Sequence, residues 1–417
     1  MSPAIKMIAF AFTALSACVA GHAENNQFPA PPTGQNRCYG ITGGEIACPA
    51  RGATLAGQDA GHARTGLLYR DNGDGTISDL NTGLMWQKTP AAKTTWHEAK
   101  TGASLVALGG HTDWRLPDIK ELYSLIDFSG AIGPQNLKPY IDTAYFDFRY
   151  GDTLAGERLI DAQYWSSTEY TGRTMGGNET IFGVNFADGR IKGYPKYAPG
   201  SRSIGHRMFV RYVRSNPAYG RNDFVDNKNG TVTDRATGLM WMQADSGKLK
   251  AGPLGDGRMD WPQALVWAAR LNYAGYADWR LPNAKELQSI VDYRRSPAAT
   301  HSAAIDPVFS CTVIRNEAGR DDYAHYWTST THLDGPRQGD AAVYVAFGEA
   351  LGYMRSPGGV ALQDVHGAGA QRSDPKQGDP AAFPQGRGPQ GDVIRIYNGV
   401  RLVRGGLSNK EDLLKPN

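Results

Sequence analysis

The sequence predicts an α+β protein made of two tandem domains, each with two helices and a small, mostly antiparallel sheet. Two observations lead to this prediction. First, four sequence blocks occur twice in the same order, which indicates duplicated domains rather than a short solenoid repeat. Second, each copy carries two helical patterns followed by alternating, strand-like segments. We expect the first domain at residues 67–215 and the second at residues 222–406.

The repeated blocks differ only slightly between the copies. In the first and second copy respectively, they are residues 71–86 and 226–241, 113–122 and 278–287, 164–168 and 326–330, and 211–214 and 401–404. Turn-forming residues in the first block separate short β-favouring pieces, which is typical of a hairpin, and this hairpin is expected to return to the closing strand. Because both copies retain the blocks, we interpret them as scaffold. The segments that differ between the copies are the candidates for function.

The first 23 residues have the features of a secretory signal, with Lys6 ahead of an apolar run that is too short to span a bilayer. The segment ending at Cys18 resembles a bacterial lipobox, in which Cys18 would be lipidated, and cleavage after Ala20 or Ala23 is the alternative. We therefore expect an exported protein of the periplasm, outer membrane or cell surface. Its contact with a membrane would be through the N-terminal lipid alone.

Three further cysteines follow Cys18. In an oxidising envelope, Cys38 and Cys48 are predicted to close a small loop within an N-terminal segment at residues 24–66. Cys311 is then either a buried thiol or an intermolecular link. The formal net charge is +3, from 44 basic and 41 acidic residues, so the chain as a whole does not indicate a nucleic-acid partner.

Each copy is predicted to contain a helix that begins with a capping box, at Thr95 to Glu98 and at Asp260 to Gln263. A second helix follows the Trp-Arg-Leu-Pro element, with its proline in the first turn.

The aromatic and charged residues of the repeated blocks are interpreted as structural. Large aromatics belong to the core more often than to a ligand site, and six tryptophans are assigned to the core: Trp86, Trp114, Trp165, Trp241, Trp279 and Trp327. Arg115 is expected to pair with Glu121, and Arg280 with Glu286. The Asp, Asn and Gly residues of the first block suit turns, and their spacing does not fit a calcium loop. No metal and no cofactor are predicted.

Four elements together, namely Asp-Trp-Arg-Leu-Pro-x-x-Lys-Glu-Leu, Thr-Gly-Leu-Met-Trp, Tyr-Trp-Ser/Thr-Ser-Thr and the closing Val-Arg, resemble the Lcl C-terminal domain family, named after the end module of a Legionella collagen-like adhesin. The resemblance covers nearly the whole mature chain. It implies a C-type-lectin-like fold with paired N- and C-terminal strands, and a role as an exported adhesin that binds sulfated glycans. The chain lacks the cysteine pair of the similar formylglycine-generating domains and the calcium ligands of lectins, so neither of those activities is expected.

A basic segment without acidic residues lies between Asp188 and Asp223. Its Arg and Lys side chains could pair with sulfate or carboxylate groups, while its tyrosines stack on sugar rings. The glycan-binding candidates are Arg190, Lys192, Tyr194, Lys196, Tyr197, Arg202 and Arg207. The alternative is that the segment contains only a closing strand and a solvated loop.

A second hypothesis is an envelope module that binds another protein, and it depends on a Gly- and Pro-rich insertion at residues 352–392 of the second copy. Such a composition predicts either a disordered loop or a functional one. No nucleophile motif, phosphate loop or metal signature is present, so the sequence predicts a protein that is not an enzyme. Residues 407–417 form a short tail.

Overall fold

The structure is a computed structural model that describes residues 28–62, 66–198, 200–201, 203–356 and 359–406. The predicted signal segment, Cys18, Arg202 and the tail at residues 407–417 lie outside the described residues.

The fold is α+β, as the sequence predicts. The helices of the described residues are α1 (Trp96–Gly102), α2 (Ile119–Ser124), α3 (Trp261–Arg270), α4 (Ala284–Ser289) and α5 (Pro297–Thr300). The strands up to the end of the first copy are β1 (Cys38–Tyr39), β2 (Glu45–Ile46), β3 (Tyr69–Asp71), β4 (Thr76–Asp79), β5 (Met85–Gln87), β6 (Ala91–Thr95), β7 (Ala131–Ile132), β8 (Leu137–Lys138), β9 (Gln163–Glu169), β10 (Thr180–Asn185), β11 (Arg190–Pro195), β12 (Arg207–Val210) and β13 (Val213–Arg214). Those of the second copy are β14 (Phe224–Asp226), β15 (Thr231–Asp234), β16 (Leu239–Met242), β17 (Val313–Arg315), β18 (Asp321–Tyr323), β19 (His325–His332), β20 (Ala341–Ala346), β21 (Leu351–Ser356), β22 (Gly359–Asp364), β23 (Gln371–Pro375) and β24 (Val403–Gly405).

The opening strands of each copy form a small sheet with the strand that closes the same copy. In the first copy the order is β13-β5-β4-β3, and in the second it is β14-β15-β16-β24. Both closing strands run antiparallel to the Leu-Met-Trp strand. The predicted return of the first hairpin to the closing strand is therefore confirmed in both copies.

The main sheet does not belong to either copy alone. Eight strands pair in the order β19-β20-β23-β11-β10-β9-β12-β6, and the copies meet where Ile191 of β11 opposes Gln371 of β23. Close approach at this junction requires glycine, because a Cβ on Gly193 would lie 2.6 Å from the His366 carbonyl oxygen. One core cluster also contains residues of both copies. The copies thus share one large sheet in addition to the small antiparallel sheet that each copy has of its own, because the edge strand of each copy is completed by the other.

The helices follow the sequence pattern at their capping boxes. Thr95 and Asp260 cap α1 and α3, each with its partner at the third helical position. The prediction for the second helix needs a correction: α2 and α4 are capped by Asp118 and Asn283, so the prolines precede the caps rather than lying in the first turn. A side chain that caps the helix satisfies its free amides more directly than proline does.

Two equivalent lysines cross between the copies where α2 faces α4. Lys120 Nζ donates to the Ser289 carbonyl oxygen at 2.6 Å, and Lys285 Nζ donates to the Ser124 carbonyl oxygen at 2.7 Å. Each ammonium thus lies at the C-terminal end of the opposite helix, where the helix dipole favours a cation. Burial lowers the pKa of Lys120 to about 8 and that of Lys285 to about 7. The two bonds are reciprocal, since each copy supplies one lysine and one helix end to the other.

The insertion at residues 352–392 is not a disordered loop. It contains most of the hairpin of β21 and β22, and then β23, which completes the main sheet. Its base also contacts the first copy, because the Tyr170 hydroxyl donates to the Asp364 carboxylate at 2.8 Å. Gly359 and Pro375 lie at strand ends, and a composition rich in these residue types does not indicate the strands that they bound.

Candidate functional site

The predicted glycan-binding segment is divided by the fold into a buried part and an exposed part. The buried part is β11, which lies between the copies and carries Arg190, Lys192 and Tyr194. Arg190 pairs with Asp334 of the second copy and lies 3.3 Å from the Asp188 carboxylate. Lys192 Nζ donates to Asp188 at 2.8 Å, and Tyr194 is only 8% exposed. These cations are therefore neutralised within the protein.

The electrostatics of this junction are those of a buried ionic cluster. Burial opposes ionisation of Asp334, but the Arg190 guanidinium holds the pKa of that carboxyl well below its usual range. Burial, reinforced by Arg190, lowers the pKa of His332 to about 3, so this imidazole is neutral. Arg372 of β23 pairs with Asp392 in the same region. The cluster holds the copies together and leaves little room for an external polyanion.

The exposed part of the segment lies beside α1. Lys196 Nζ is 4.8 Å from the ring centroid of Trp96, and Lys100 Nζ of α1 is 4.9 Å from the same ring. Tyr197 follows Lys196, with its ring centroid 5.9 Å from the ammonium. Arg207 is exposed and lies 3.5 Å from the Glu98 carboxylate. We call Trp96, Lys100, Thr168 and Lys196 together the open face.

The second copy has an equivalent surface made of Trp261, Leu265, Thr330 and Lys376, which we call the covered face. The equivalence follows from the capping boxes that start α1 and α3, and from the Pro-Lys pair that ends β11 and β23. It is also visible in the indole hydrogen bonds. Trp96 Nε1 donates to the Ser166 carbonyl at 2.9 Å, and Trp261 Nε1 donates to the Thr328 carbonyl at 2.7 Å.

The N-terminal segment at residues 28–62, here called the strap, lies on the covered face. Lys376 Nζ donates to the carbonyl oxygens of Tyr39 and Gly40, both at 3.2 Å. The Thr330 hydroxyl donates to the Asp59 carboxylate at 2.6 Å. A Cβ on Gly57 would lie 3.6 Å from Leu265 Cδ2. The strap therefore contacts the lysine, threonine and leucine of this face, and the predicted Cys38–Cys48 disulfide within it is confirmed.

On the same surface of the first copy Trp96 is also buried, at 5% exposure, but none of the described strap residues hydrogen-bonds to Lys196 or Thr168. Every residue of β19 is buried, whereas Ser167 and Thr168 of β9 are half-buried and Glu169 is exposed. The Lys196 side chain is 22% exposed, while Lys376 is 0% exposed and burial lowers its pKa to about 7.

One substitution changes the chemistry of the face. Lys100, which is exposed, stands where the second copy has Leu265, which is buried at 3% exposure. The open face can therefore offer ammonium groups and a threonine hydroxyl to an acceptor. The sequence prediction missed Trp96, Lys100 and Thr168. Comparing the equivalent positions 100 and 265 of the two copies would have indicated Lys100.

The retained motif residues have the structural positions expected of them. The six motif tryptophans are at most 4% exposed. Arg115 pairs with both carboxylate oxygens of Glu121, and Arg280 pairs with both of Glu286 at 2.7 Å. Cys311 is half-buried, and Arg401 donates to its sulfur at 3.4 Å. Within the ranges that the structure describes, no three His, Cys, Asp or Glu side chains are grouped to hold a metal ion.

Fold and face together define a duplicated α+β module in which one copy exposes a cationic surface and the other is covered. The chain belongs to the Lcl C-terminal domain family, whose model matches residues 75–214 and 230–361, one segment in each copy. Membership indicates a bacterial surface module of the adhesin type. No curated protein and no solved structure matches the chain. In the described part of the chain, no helix has the length and apolar character needed to cross a membrane.

We predict that Arg190→Ala destabilises the protein by about 3–5 kcal/mol, because it removes the guanidinium shared by the buried Asp188 carboxylate and the half-buried Asp334 carboxylate. The matched control is Arg315→Ala, which breaks an ion pair whose arginine side chain is 72% exposed and should change stability by less than about 0.5 kcal/mol. Urea unfolding of both variants measures the difference. Equal effects of the two substitutions would contradict a structural role for Arg190.

A second prediction concerns the strap. Burial raises the pKa of Asp59 from 3.8 to about 6, so the carboxyl stabilises the fold when protonated, and this stabilisation is lost as the pH rises through about 6. The rise corresponds to roughly 3 kcal/mol. Asp59→Asn should remove this pH dependence, which denaturant unfolding between about pH 4 and pH 7.5 would reveal. Asp321→Asn, at an exposed position, should keep the wild-type profile, and an Asp59→Asn profile equal to wild type would refute the expectation.

Proposed function

We propose that the protein is an exported, lipid-anchored binding module of the bacterial cell envelope, an adhesin without catalytic activity, that recognises sulfated or acidic glycans at its open face. The main support for this proposal is that two equivalent surfaces, one in each copy, differ in what covers them. One is filled by the strap, and the other exposes Lys100 and Lys196 beside Trp96. In this proposal each copy is a C-type-lectin-like unit, and Cys18 carries the lipid.

The cations of the open face support an anionic ligand. Lys100 and Lys196 lie at similar distances from one indole ring, and the exposed Arg207 and the half-buried Tyr197 lie beside them. Several ammonium and guanidinium groups within one surface can share the oxygens of a sulfate or carboxylate, and charge-assisted hydrogen bonds of this kind are the stronger ones. Glu98 and Glu179 neutralise part of this charge, so a ligand has to compete with them.

The hydroxyl of Thr168 supports an acceptor at the far end of the face. Its oxygen accepts from the Ile119 amide at 3.0 Å, and its hydrogen has no acceptor among the described residues. The equivalent Thr330 accepts from the Ala284 amide at 3.0 Å and also donates to Asp59. A carboxylate or sulfate oxygen placed as Asp59 is would therefore complete the hydrogen bonding of Thr168.

Heparin-affinity chromatography of the mature, unlipidated protein tests this proposal. Lys100→Ala, Lys196→Ala and Arg207→Ala should each elute at lower salt than wild type, and the triple variant should be retained least, because each removes one cation from the face.

The control is Lys248→Ala, an exposed lysine of the second copy, which should elute as wild type does. Lys192 is unsuitable for this test because its removal disturbs the buried cluster. Salt-insensitive retention, or equal elution of the triple variant and wild type, would rule out glycan binding at the open face.

A further inference from the structure

We propose that the open face also accepts an extended acidic polypeptide segment from another protein, docked as the strap docks on the covered face. This inference rests on the proposed function in using the same cationic surface, and it adds a second class of ligand. The protein itself supplies the template, since the strap is a polypeptide bound to an equivalent surface.

The contacts of the strap are those of peptide recognition. Both hydrogen-bond acceptors of Lys376 are main-chain carbonyls, of Tyr39 and Gly40. The Gln35 side-chain amide donates to the Thr331 carbonyl and accepts from the Thr331 amide, both at 2.8 Å. This pair of bonds imitates the pairing of a further strand with the edge of β19. A chain that offers carbonyls and one carboxylate therefore matches the polar groups of this surface.

The open face retains the polar part of this pattern. Lys196 occupies the place of Lys376, and Thr168 occupies the place of Thr330. Both are more exposed than their counterparts, so neither requires a large rearrangement before it meets a ligand.

The apolar contact of the covered face is replaced by a cationic side chain in the open face. Leu55 of the strap packs against the cluster that contains Trp261 and Leu265. In the first copy Lys100 replaces Leu265 of that cluster, so an aliphatic side chain docked there would lie beside a surface that carries an ammonium group. Charge complementarity therefore favours an acidic residue in the incoming segment, and it explains why the strap itself is matched to the covered face.

No described segment of the chain is placed to cover the open face from within. The strap precedes the first copy in sequence but crosses to the second copy, and only residues 215–223 separate β13 from β14. A segment equivalent to the strap has roughly thirty-five residues (28–62), far more than this connection provides. Because neither the strap nor this connection covers the open face within the described residues, we assign the occupant to a partner chain.

Isothermal titration calorimetry of the full mature protein with two synthetic, disulfide-closed peptides tests the proposal. One peptide has the sequence of residues 28–62, and the other carries the substitution Leu55→Asp. Leu55 has a positive φ of 62°, a backbone conformation that aspartate adopts more readily than leucine does. The Leu55→Asp peptide should bind at least about five-fold more tightly than the unmodified one. Lys196→Ala should weaken its binding by a similar factor, and Lys248→Ala should leave it unchanged.

Lys100→Leu provides the sharpest comparison, because it gives the open face the residue of the covered face. The preference should reverse, with the unmodified peptide binding more tightly than the Leu55→Asp peptide. Heparin should compete with either peptide. Absence of saturable binding, or binding that Lys100→Leu and Lys196→Ala leave unchanged, would overturn the proposal. If heparin retention still depends on Lys100 and Lys196, the peptide proposal alone fails and glycan recognition remains.

Discussion

The pairing of β11 with β23 is the constraint on which the rest of the structure depends. It joins equivalent edge strands, so it makes one eight-stranded sheet from two copies and places α2 opposite α4. It also brings basic side chains into the interior, where unpaired charge is strongly unfavourable. Asp334 and Asp392 supply the counter-charges from the second copy. The segment with the highest density of basic residues is consequently structural along most of its strand, and the ligand binding that we propose is confined to its more exposed end.

Duplication produces two equivalent faces, and the connectivity of the chain makes them unequal. The strap enters from the N-terminus and is long enough to cover one face, whereas the link between the copies is too short to cover the other. Burial under the strap removes Lys376 from solvent and lowers its pKa to about 7, while Lys196 keeps part of its surface exposed. The equivalent lysines thus differ in environment: Lys376 is packed under the strap, and Lys196 is partly exposed to solvent. The substitution of Lys100 for Leu265 follows the same division.

Local features were predictable from the sequence, and non-local ones were not. Capping boxes, the Arg-Glu pairs six residues apart and the disulfide depend on residues that are close in sequence, and the paired hairpins follow from the repeat. The burial of Arg190 depends on Asp334, which no local pattern indicates. The Gly/Pro-rich insertion was misjudged because β23 is stabilised by its neighbours in the sheet rather than by its own propensity. The candidate face was partly predicted: Lys196, Tyr197 and Arg207 belong to it or border it, whereas Trp96, Lys100 and Thr168 became visible only when the copies were compared in space.

Salt dependence separates the two ligand classes proposed for the open face. An exposed ammonium contributes at most about 1 kcal/mol to an ion pair, so a polyanion must engage several cations at once, and its binding weakens steeply as salt rises. A docked polypeptide would add main-chain carbonyls at Lys196 and an acceptor at Thr168, as the strap does at Lys376 and Thr330. Hydrogen bonds and packing of this kind are screened much less. Both ligands use the same lysines, so the two modes differ in the affinity that remains at high salt. A large remaining affinity would indicate that the open face binds a polypeptide as the covered face binds the strap.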